Sequence, residues 1–342
     1  MNTAPMNIAI EGAAAIGSFG FGRRALSRAM ENSPAREDLE GFSVLPKADV
    51  SILASYTQAR ALRQVDHFTR MALTCAFAAL EDASIAPEEM KDAGLVIASG
   101  YGPAQMTFSF LDSIEDHGPN MASPLSFSFS VHNIPAANVA LKLGMAGPCT
   151  TVCQFESSVV SALLTAASWL FERRVSRVLF GAIDELTPVL AATTARITNE
   201  AGVKSRYERR DLPLGEGAAF FCLSLDESKA KTVIRDIALH ATMAAARELG
   251  PEGFEPGKFE AETVYHSGSL ANLPEETRRE AFRRLSAYGN LPVALALDMF
   301  AAVNALEEGR RHTVACVSSS PAGAAGAVLL ASPNVSARAS EN

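Results

Sequence analysis

In this chain of 342 residues, the fold is indicated most clearly by the stretch Gly147-Pro148-Cys149-Thr150-Thr151-Val152-Cys153-Gln154-Phe155-Glu156-Ser157-Ser158. Its first part, 149–153, is a short β-branched and apolar run that is typical of a buried strand, and the residues after Ser158 are rich in Ala, Leu and Val at helical spacing. A strand that turns sharply into a helix presents one side chain at the turn, and here that side chain is Glu156. A helix start also stabilises a carboxylate by about 0.3 to 1 kcal/mol. The local residues therefore leave open whether Glu156 is a presented group or only a first-turn acid.

Composition indicates an acidic globular protein. Hydrophobic residues make up 48% of the chain and the formal net charge is -8. A nucleic-acid partner is not expected, because such proteins need an excess of Lys and Arg to neutralise phosphates. The N-terminus lacks a basic segment followed by an apolar stretch, and no later run is long enough to cross a bilayer. We therefore expect a cytoplasmic protein with no membrane partner.

Neither the cysteines nor the first glycine-rich turn predicts a cofactor. Of the five cysteines only Cys149 and Cys153 are closely spaced, and no second pair completes a tetrahedral site, so we expect no metal. Both cysteines are predicted to pack in the core. The glycines at 17, 20 and 22 do not follow the G-x-G-x-x-G order, so this turn is interpreted as a connection to a helix.

Strand and helix patterns alternate along the chain. Strands are predicted at 7–11, 95–99, 149–153, 177–183, 217–225, 232–242, 262–265, 313–318 and 326–330, and helices at 23–31, 66–83, 105–116, 135–143, 158–171 and 291–308. This alternation predicts an α/β fold with a mainly parallel sheet that is covered by helices on both sides. The second half of the chain is predicted to repeat the arrangement of strands and helices of the first half.

Three segments in this order resemble the β-ketoacyl synthases of the thiolase fold over nearly the whole chain: the elbow, Phe180-Gly181-Ala182-Ile183-Asp184-Glu185, and Leu214-Gly215-Glu216-Gly217-Ala218-Ala219. The resemblance implies a thiolase-like fold of two pseudo-repeated βαβαβ halves in a layered α-β-α-β-α arrangement. The halves would be an N-terminal unit at 1–230 and a shortened C-terminal unit at 231–332, followed by a flexible tail at 333–342. In that family Gly-Pro-Ser opens the strand that ends at the acyl-accepting cysteine, and counting from Gly147 brings Glu156 to the cysteine position.

Two further motifs resemble the histidine segments of the family. Tyr265-His266-Ser267-Gly268-Ser269 is similar to the His-Gly-Thr segment, and Tyr288-Gly289-Asn290-Leu291 is similar to the Gly-His segment with Asn290 in place of histidine. The resemblance thus implies that the Cys-His-His set of the family has become Glu156, His266 and Asn290, with no cofactor and no metal. The glycine-rich loop of the family survives only as 320–326.

One branch of the family is more similar still. The segment 123–133, together with Glu156 and Asp184-Glu185, resembles chain-length-factor-like homologues that pair with a true ketosynthase. This implies a partner, in a heterodimer or a homodimer, that serves type II polyketide, aryl-polyene or fatty-acid-like biosynthesis. An acyl carrier protein is the second expected partner, and the arginine pairs at 278–279 and 283–284 are the first choice for its docking. Dimerisation through edge strands beside the elbow would bring Phe129 and Asn133 near the interface.

The replacement of cysteine leaves three functions open. A glutamate cannot hold an acyl chain as a thioester, so the first hypothesis is a partner that does not condense. The second is an independent acyl-thioester enzyme, such as a malonyl-carrier decarboxylase, that uses Glu156, His266 and Asn290. The third is a homodimeric binding protein without chemistry. The sequence does not name the acyl chain or its length.

Overall fold

The computed structural model describes residues 6–33, 43–199, 212–240, 261–268, 270, 273–320 and 324–333. The strands are β1 (Ile8–Gly17), β2 (Gly20–Phe21), β3 (Gly94–Ser99), β4 (Cys149–Cys153), β5 (Arg177–Asp184), β6 (Gly217–Ser224), β7 (Thr232–His240), β8 (Thr263–Gly268), β9 (Thr313–Ser319) and β10 (Ala325–Ala331). The helices are α1 (Gly22–Glu31), α2 (His67–Ala83), α3 (Ala104–His117), α4 (Pro124–Phe129), α5 (Ile134–Leu143), α6 (Ser158–Phe171), α7 (Pro188–Asn199), α8 (Glu275–Tyr288) and α9 (Ala294–Glu307). Within these ranges, no helix combines the length and the apolar character that crossing a bilayer requires.

The predicted strands and helices are present, and the largest difference in their ends is at β1. This strand was predicted to end at 11 and runs to Gly17, with every residue buried. Its second part contains Gly12 and a run of alanines, which have low strand propensity. The structure explains Gly12, because a Cβ there would lie 2.4 Å from the backbone nitrogen of Ala83 at the end of α2. Close packing of α2 on β1 therefore overrides local propensity.

The described strands form one sheet in the order β4-β3-β5-β6-β1-β7-β10-β9-β8, with β2 paired to β1. Only the pairs β3–β4, β3–β5 and β8–β9 are parallel, and the other pairings are antiparallel. The prediction of a mainly parallel sheet is therefore wrong. One physical reason is the link between β9, which ends at Ser319, and β10, which begins at Ala325: it is too short for a crossover connection and returns the chain antiparallel.

The two halves of the sheet repeat one strand order. Counted from its outer edge, the first half runs β4-β3-β5-β6-β1 and the second runs β8-β9-β10-β7, and β1 pairs with β7 where they meet. In the described part of the second half, the counterpart of β4 is missing. At that place in the chain, between α8 and α9, Asn290 makes only an isolated bridge with Leu214. Among the described residues the second half therefore has one strand fewer than the first, while the shortened C-terminal unit and its boundary at 230 stay predictions.

Helices α6 and α9 form the central layer. Helix α6 packs on β3, β4 and β5 of the first half and on β7 and β10 of the second, and α9 contacts strands of both halves in the same way. All residues of α9 from Ala294 to Leu306 are buried, as expected for a helix enclosed on every side. Helices α2 and α5 cover the outer face of the first half. Residues 241–260, between β7 and β8, and most of the predicted tail, 334–342, lie outside the described residues.

Candidate active site

The predicted elbow is present, with a short helical turn between strand and helix. Strand β4 ends at Cys153, the turn Phe155–Ser157 follows, and α6 begins at Ser158. Phe155 has φ 47, a left-handed conformation that costs a residue other than glycine about 1 kcal/mol or more. The turn places Glu156, which is half-buried, directly before the N-terminus of α6. The sequence had predicted this helix over 158–171, and α6 has the same bounds.

Ser158 fixes the elbow to the neighbouring strand. Its hydroxyl accepts a hydrogen bond from the backbone N–H of Gln154 at 2.7 Å and lies 2.8 Å from the carbonyl oxygen of Ser99, at the end of β3. The same hydroxyl is 2.7 Å from the carbonyl oxygen of Phe155. A fully buried side chain therefore holds the strained turn from inside.

The loop after β3 forms one wall beside the elbow. The ring of Tyr101 meets the ring of Phe155 edge-on, with centroids 6.2 Å apart. Gly102 has φ +65, and a Cβ there would lie 2.5 Å from the imidazole Cδ2 of His132, so glycine is required for this approach. His132 is exposed, and the sequence had assigned it a structural role. Sequence reasoning missed Tyr101 as a neighbour of the elbow, because the contact joins two loops far apart in the chain.

Asp184 ties the elbow wall to the second half. Its Oδ1 accepts hydrogen bonds from the Ser99 hydroxyl and from the N–H groups of Gly100 and Tyr101, and its Oδ2 accepts one at 3.3 Å from the N–H of Val293. Burial raises the pKa of this carboxyl to about 6, although the four donors act in the opposite direction. The carboxylate therefore joins the ends of β3 and β5 to the segment that precedes α9.

His266 lies on β8, opposite Val317 of β9, and the elbow turn contacts β9 and β10. Burial and then the nearby charge of Arg284 together lower the pKa of His266 to about 4. The residues on either side of His266 make different contacts. The guanidinium of Arg284 lies 4.2 Å above the ring of Tyr265, and the Ser267 hydroxyl donates to the carbonyl oxygen of Val317 at 3.4 Å.

Asn290 lies at the place where the first half has β4. Its N–H donates to the carbonyl of Pro213 at 2.7 Å, the residue is 5% exposed, and its Oδ1 has no hydrogen-bond partner among the described residues. It is three residues from Val293 and thereby linked through Asp184 to the elbow wall. The elbow turn of Glu156 contacts β9, which pairs with the strand of His266, so the three residues lie on connected segments. Their joint chemical role stays a prediction.

Two sequence assignments near the site are corrected. Cys149 was expected in the core but is exposed, because β4 is the edge strand of the described sheet. Cys153 is half-buried, with its thiol 3.7 Å from the carbonyl oxygen of Gly100. Away from the elbow, the imidazole Nε2 of His67 lies 2.6 Å from a carboxylate oxygen of the buried Glu216. The acceptor is 149 residues away, so local sequence carried no signal for it.

Comparison with known proteins supplies a family and a fold. Residues 30–224 match the family described as beta-ketoacyl synthase, N-terminal domain. The putative polyketide beta-ketoacyl synthase 1 of Streptomyces virginiae is 26% identical over 297 residues, which are 79% of this chain and 70% of that protein.

Solved structures of similar shape cover almost the whole chain. A type II PKS acyl-carrier protein in complex with its ketosynthase bound to the hexaketide (AntDE:AntF) includes a chain with TM-score 0.75 and 16% identity, over 96% of this chain and 100% of that one. The ishigamide ketosynthase/chain length factor has TM-score 0.68 and 18% identity, over 95% and 99% of the two chains. At such identities the likeness establishes the thiolase-like α/β fold.

Proposed function

This chain belongs to the β-ketoacyl synthase family, and we propose that it is the non-condensing, chain-length-factor-like partner of a cysteine-bearing ketosynthase. The pathway class would be type II polyketide, aryl-polyene or fatty-acid-like biosynthesis. One observation carries the proposal: Glu156 occupies the turn between β4 and α6, where the family resemblance places the acyl-accepting cysteine. The fold around this turn is otherwise complete, with the neighbouring strand ends joined by Asp184.

The chemistry of the elbow argues against condensation by this chain alone. Condensation needs a thiolate that takes up an acyl group as a thioester and releases it to a carbanion. A carboxylate attacks thioesters poorly, and the mixed anhydride it would form hydrolyses. The thiol nearest to the turn does not replace it, because burial and then the charge of Asp184 raise the pKa of Cys153 to about 11. This thiol is therefore protonated at neutral pH.

The surface beside the elbow favours a protein partner. Strand β4 is paired on one side only within the described sheet, and such an edge is a template for pairing with another chain. Helices α3 and α4 contain no buried residue, although both are rich in apolar side chains. We define the elbow face as β4 together with the exposed apolar residues of the elbow and of the segment between β3 and β4, which are Leu111, Met121, Leu125, Phe127, Val131 and Phe155. A face of this kind usually marks an interaction site.

We propose that an acidic carrier protein docks on this chain, and the structure reduces the number of arginines that could bind it. Arg284 is excluded because it is 3% exposed and paired with Asp298. Arg278 and Arg279 lie on the same helix and both pair with Glu275. Arg283 is exposed on this helix, so Arg279 and Arg283 are the side chains best able to steer a carrier.

Co-expression with a cysteine-bearing ketosynthase from the same gene neighbourhood tests the proposal. We expect a stable complex of one copy each, and we expect the ketosynthase to extend chains of defined length only when this chain is present. Glu156→Gln should keep both properties, because the role assigned to this position needs no nucleophile. A chain that remains monomeric and leaves product length unchanged would remove the proposal.

A decarboxylase is the second candidate, and the state of His266 favours it. A neutral imidazole can donate a hydrogen bond to the thioester carbonyl of a malonyl carrier, and the Asn290 amide could add a second donor. Against this, an ionised Glu156 would repel the malonate carboxylate. Incubation of the chain alone with malonyl thioesters decides the question: carbon dioxide release that disappears in both Glu156→Gln and His266→Ala would support the enzyme, and no release would eliminate it.

A further inference from the structure

A group of possible metal ligands lies outside the site described above. His67 opens α2, Glu185 follows β5 and Glu216 precedes β6. Each offers one ligand atom, and these atoms all lie within 4.8 Å of one another. We call this group the His67–Glu185–Glu216 cluster. The proposed function uses none of its members.

Glu216 is oriented as metal-ligating carboxylates usually are. Its side chain is fully buried, the N–H of Ala48 donates to Oε1 at 2.8 Å, and the N–H of Leu186 donates to Oε2 at 3.1 Å. Hydrogen bonds from outside the ligand set fix a carboxylate in one direction and are typical of metal sites. If the imidazole of His67 moves away from Oε1, each carboxylate oxygen of Glu216 still has a lone pair that accepts no hydrogen bond from these groups and can bind an ion.

Glu185 supplies an observation that is independent of the contact between His67 and Glu216. Its side chain is 3% exposed, and the ammonium Nζ of Lys47 lies 3.4 Å from Oε1. The carboxylate of Asp66, which precedes His67 in the chain, has a buried oxygen, Oδ1, without a partner among the described residues. Buried carboxylates are normally paired or bound to a cation, and this place offers three carboxylates to one ammonium group and one imidazole.

We propose that the His67–Glu185–Glu216 cluster binds one divalent first-row transition-metal ion, through the imidazole Nε2 of His67 and a carboxylate oxygen from each glutamate. One imidazole with two carboxylates suits Mn²⁺, Fe²⁺ or Zn²⁺ better than Ca²⁺, which takes six or more oxygens. This departs from the expectation of no metal, which considered only cysteine and histidine pairs that are close in the sequence. The inference does not depend on the proposed partner function.

The geometry requires only a small adjustment. Metal–ligand bonds of about 2.0 to 2.2 Å place neighbouring ligand atoms about 3.0 to 3.5 Å apart, whereas His67 Nε2 and Glu216 Oε1 are now 2.6 Å apart. His67 is 23% exposed and has room to move outward, and Lys47 is half exposed and can turn into solvent. A bound ion would join α2 to the ends of β5 and β6.

A titration with Mn²⁺ tests the site. The full chain is first freed of metal with EDTA, and binding of added Mn²⁺ is then followed by electron paramagnetic resonance. We use Mn²⁺ because it prefers oxygen and imidazole to thiolates, so the exposed Cys149 does not compete. We expect one ion per chain, with affinity reduced roughly tenfold or more in His67→Ala and Glu185→Gln. Lys47→Ala should bind at least as tightly as the wild type, because a competing cation is removed. His117→Ala, at the exposed end of α3, is the matched control and should bind normally.

Two results would overturn the site: no bound ion at roughly millimolar Mn²⁺ or Zn²⁺, or an ion whose affinity is the same in His67→Ala. Thermal unfolding without metal shows whether each variant is folded. If Glu185→Gln does not fold, His67→Ala decides the matter alone, since its side chain lies at the rim of the cluster. A Lys47→Ala variant that binds more weakly would contradict the assigned ligand set.

Discussion

The imidazole of His266 is partly buried and lies near a positive charge, and both favour its neutral form. Its pKa is lowered to about 4 in the folded chain, against about 6.5 in an unfolded one. At neutral pH the ring therefore carries one N–H and can donate a hydrogen bond, but it holds no second proton to deliver as an acid. This state suits stabilisation of a carbonyl oxygen and does not suit general acid catalysis.

Acid should destabilise the fold through this residue. Because the folded pKa lies below the unfolded one, the unfolded chain binds more protons between pH 6.5 and 4, and stability falls as the pH falls through that window. The loss is at most about 3 kcal/mol for a shift of this size. Urea unfolding at several pH values should show a flatter dependence in His266→Gln than in the wild type. Equal slopes in the two proteins would mean that His266 is not held neutral.

The elbow depends on one hydroxyl, and its removal should loosen the turn. In Ser158→Ala the Gln154 N–H loses its acceptor, and we expect a loss of about 1 to 3 kcal/mol in the free energy of unfolding. Ser168→Ala on the same helix is the control: its hydroxyl reaches only the exposed Glu172, so its effect should stay within about 0.5 kcal/mol. Similar losses in the two variants would show that Ser158 does not hold the elbow.

Helices α8 and α9 are joined by a buried ion pair. Arg284 Nε lies 3.2 Å from Asp298 Oδ1, and the Tyr288 hydroxyl donates to the same oxygen at 2.5 Å. Arg284→Met alone leaves a buried carboxylate without its cation and should cost about 3 to 5 kcal/mol. The double variant Arg284→Met/Asp298→Leu should recover most of this loss, and the exposed Arg279→Met is the control. If the double variant is as unstable as the single one, packing of Arg284 on Tyr265 outweighs its charge.

At the scale of elements, local patterns located strands and helices but did not determine how strands pair. The run at 149–153 and the helix after it were predictable because β-branched and helix-forming residues change over within a few positions. The antiparallel pairing of β5 with β6 was not, since strand direction depends on a connection whose path the sequence does not specify. The position of β4 at the sheet edge, and so the exposure of Cys149, was missed for the same reason.

In the whole molecule, the sequence predicted which residues belong to the candidate site but not the contacts that join them. The resemblance to a family selected Glu156, His266 and Asn290, and the structure puts them on connected segments. The contacts that connect them, such as Tyr101 with Phe155 and Asp184 with Val293, join residues far apart in the chain. Such contacts have no local signature, and neither has the His67–Glu185–Glu216 cluster.

The elbow face should govern assembly. Phe127 on α4 is 57% exposed, and Phe127→Asp would place a charge in the proposed interface. We expect this variant to fold normally and to lose at least tenfold in affinity for the ketosynthase partner in analytical ultracentrifugation. Phe171→Asp is the control, because Phe171 is 48% exposed at the opposite end of α6 from the elbow. Equal affinities of both variants would place the interface elsewhere.

In the proposed function this chain shapes a reaction and does not hold the acyl group. Intact-protein mass spectrometry of the co-purified pair, after incubation with an acyl-loaded carrier protein, shows which subunit carries the acyl group. We predict an acyl adduct on the cysteine-bearing ketosynthase and none on this chain. A stable acyl adduct on this chain, at Cys153, Cys149 or Glu156, would rule the proposed function out.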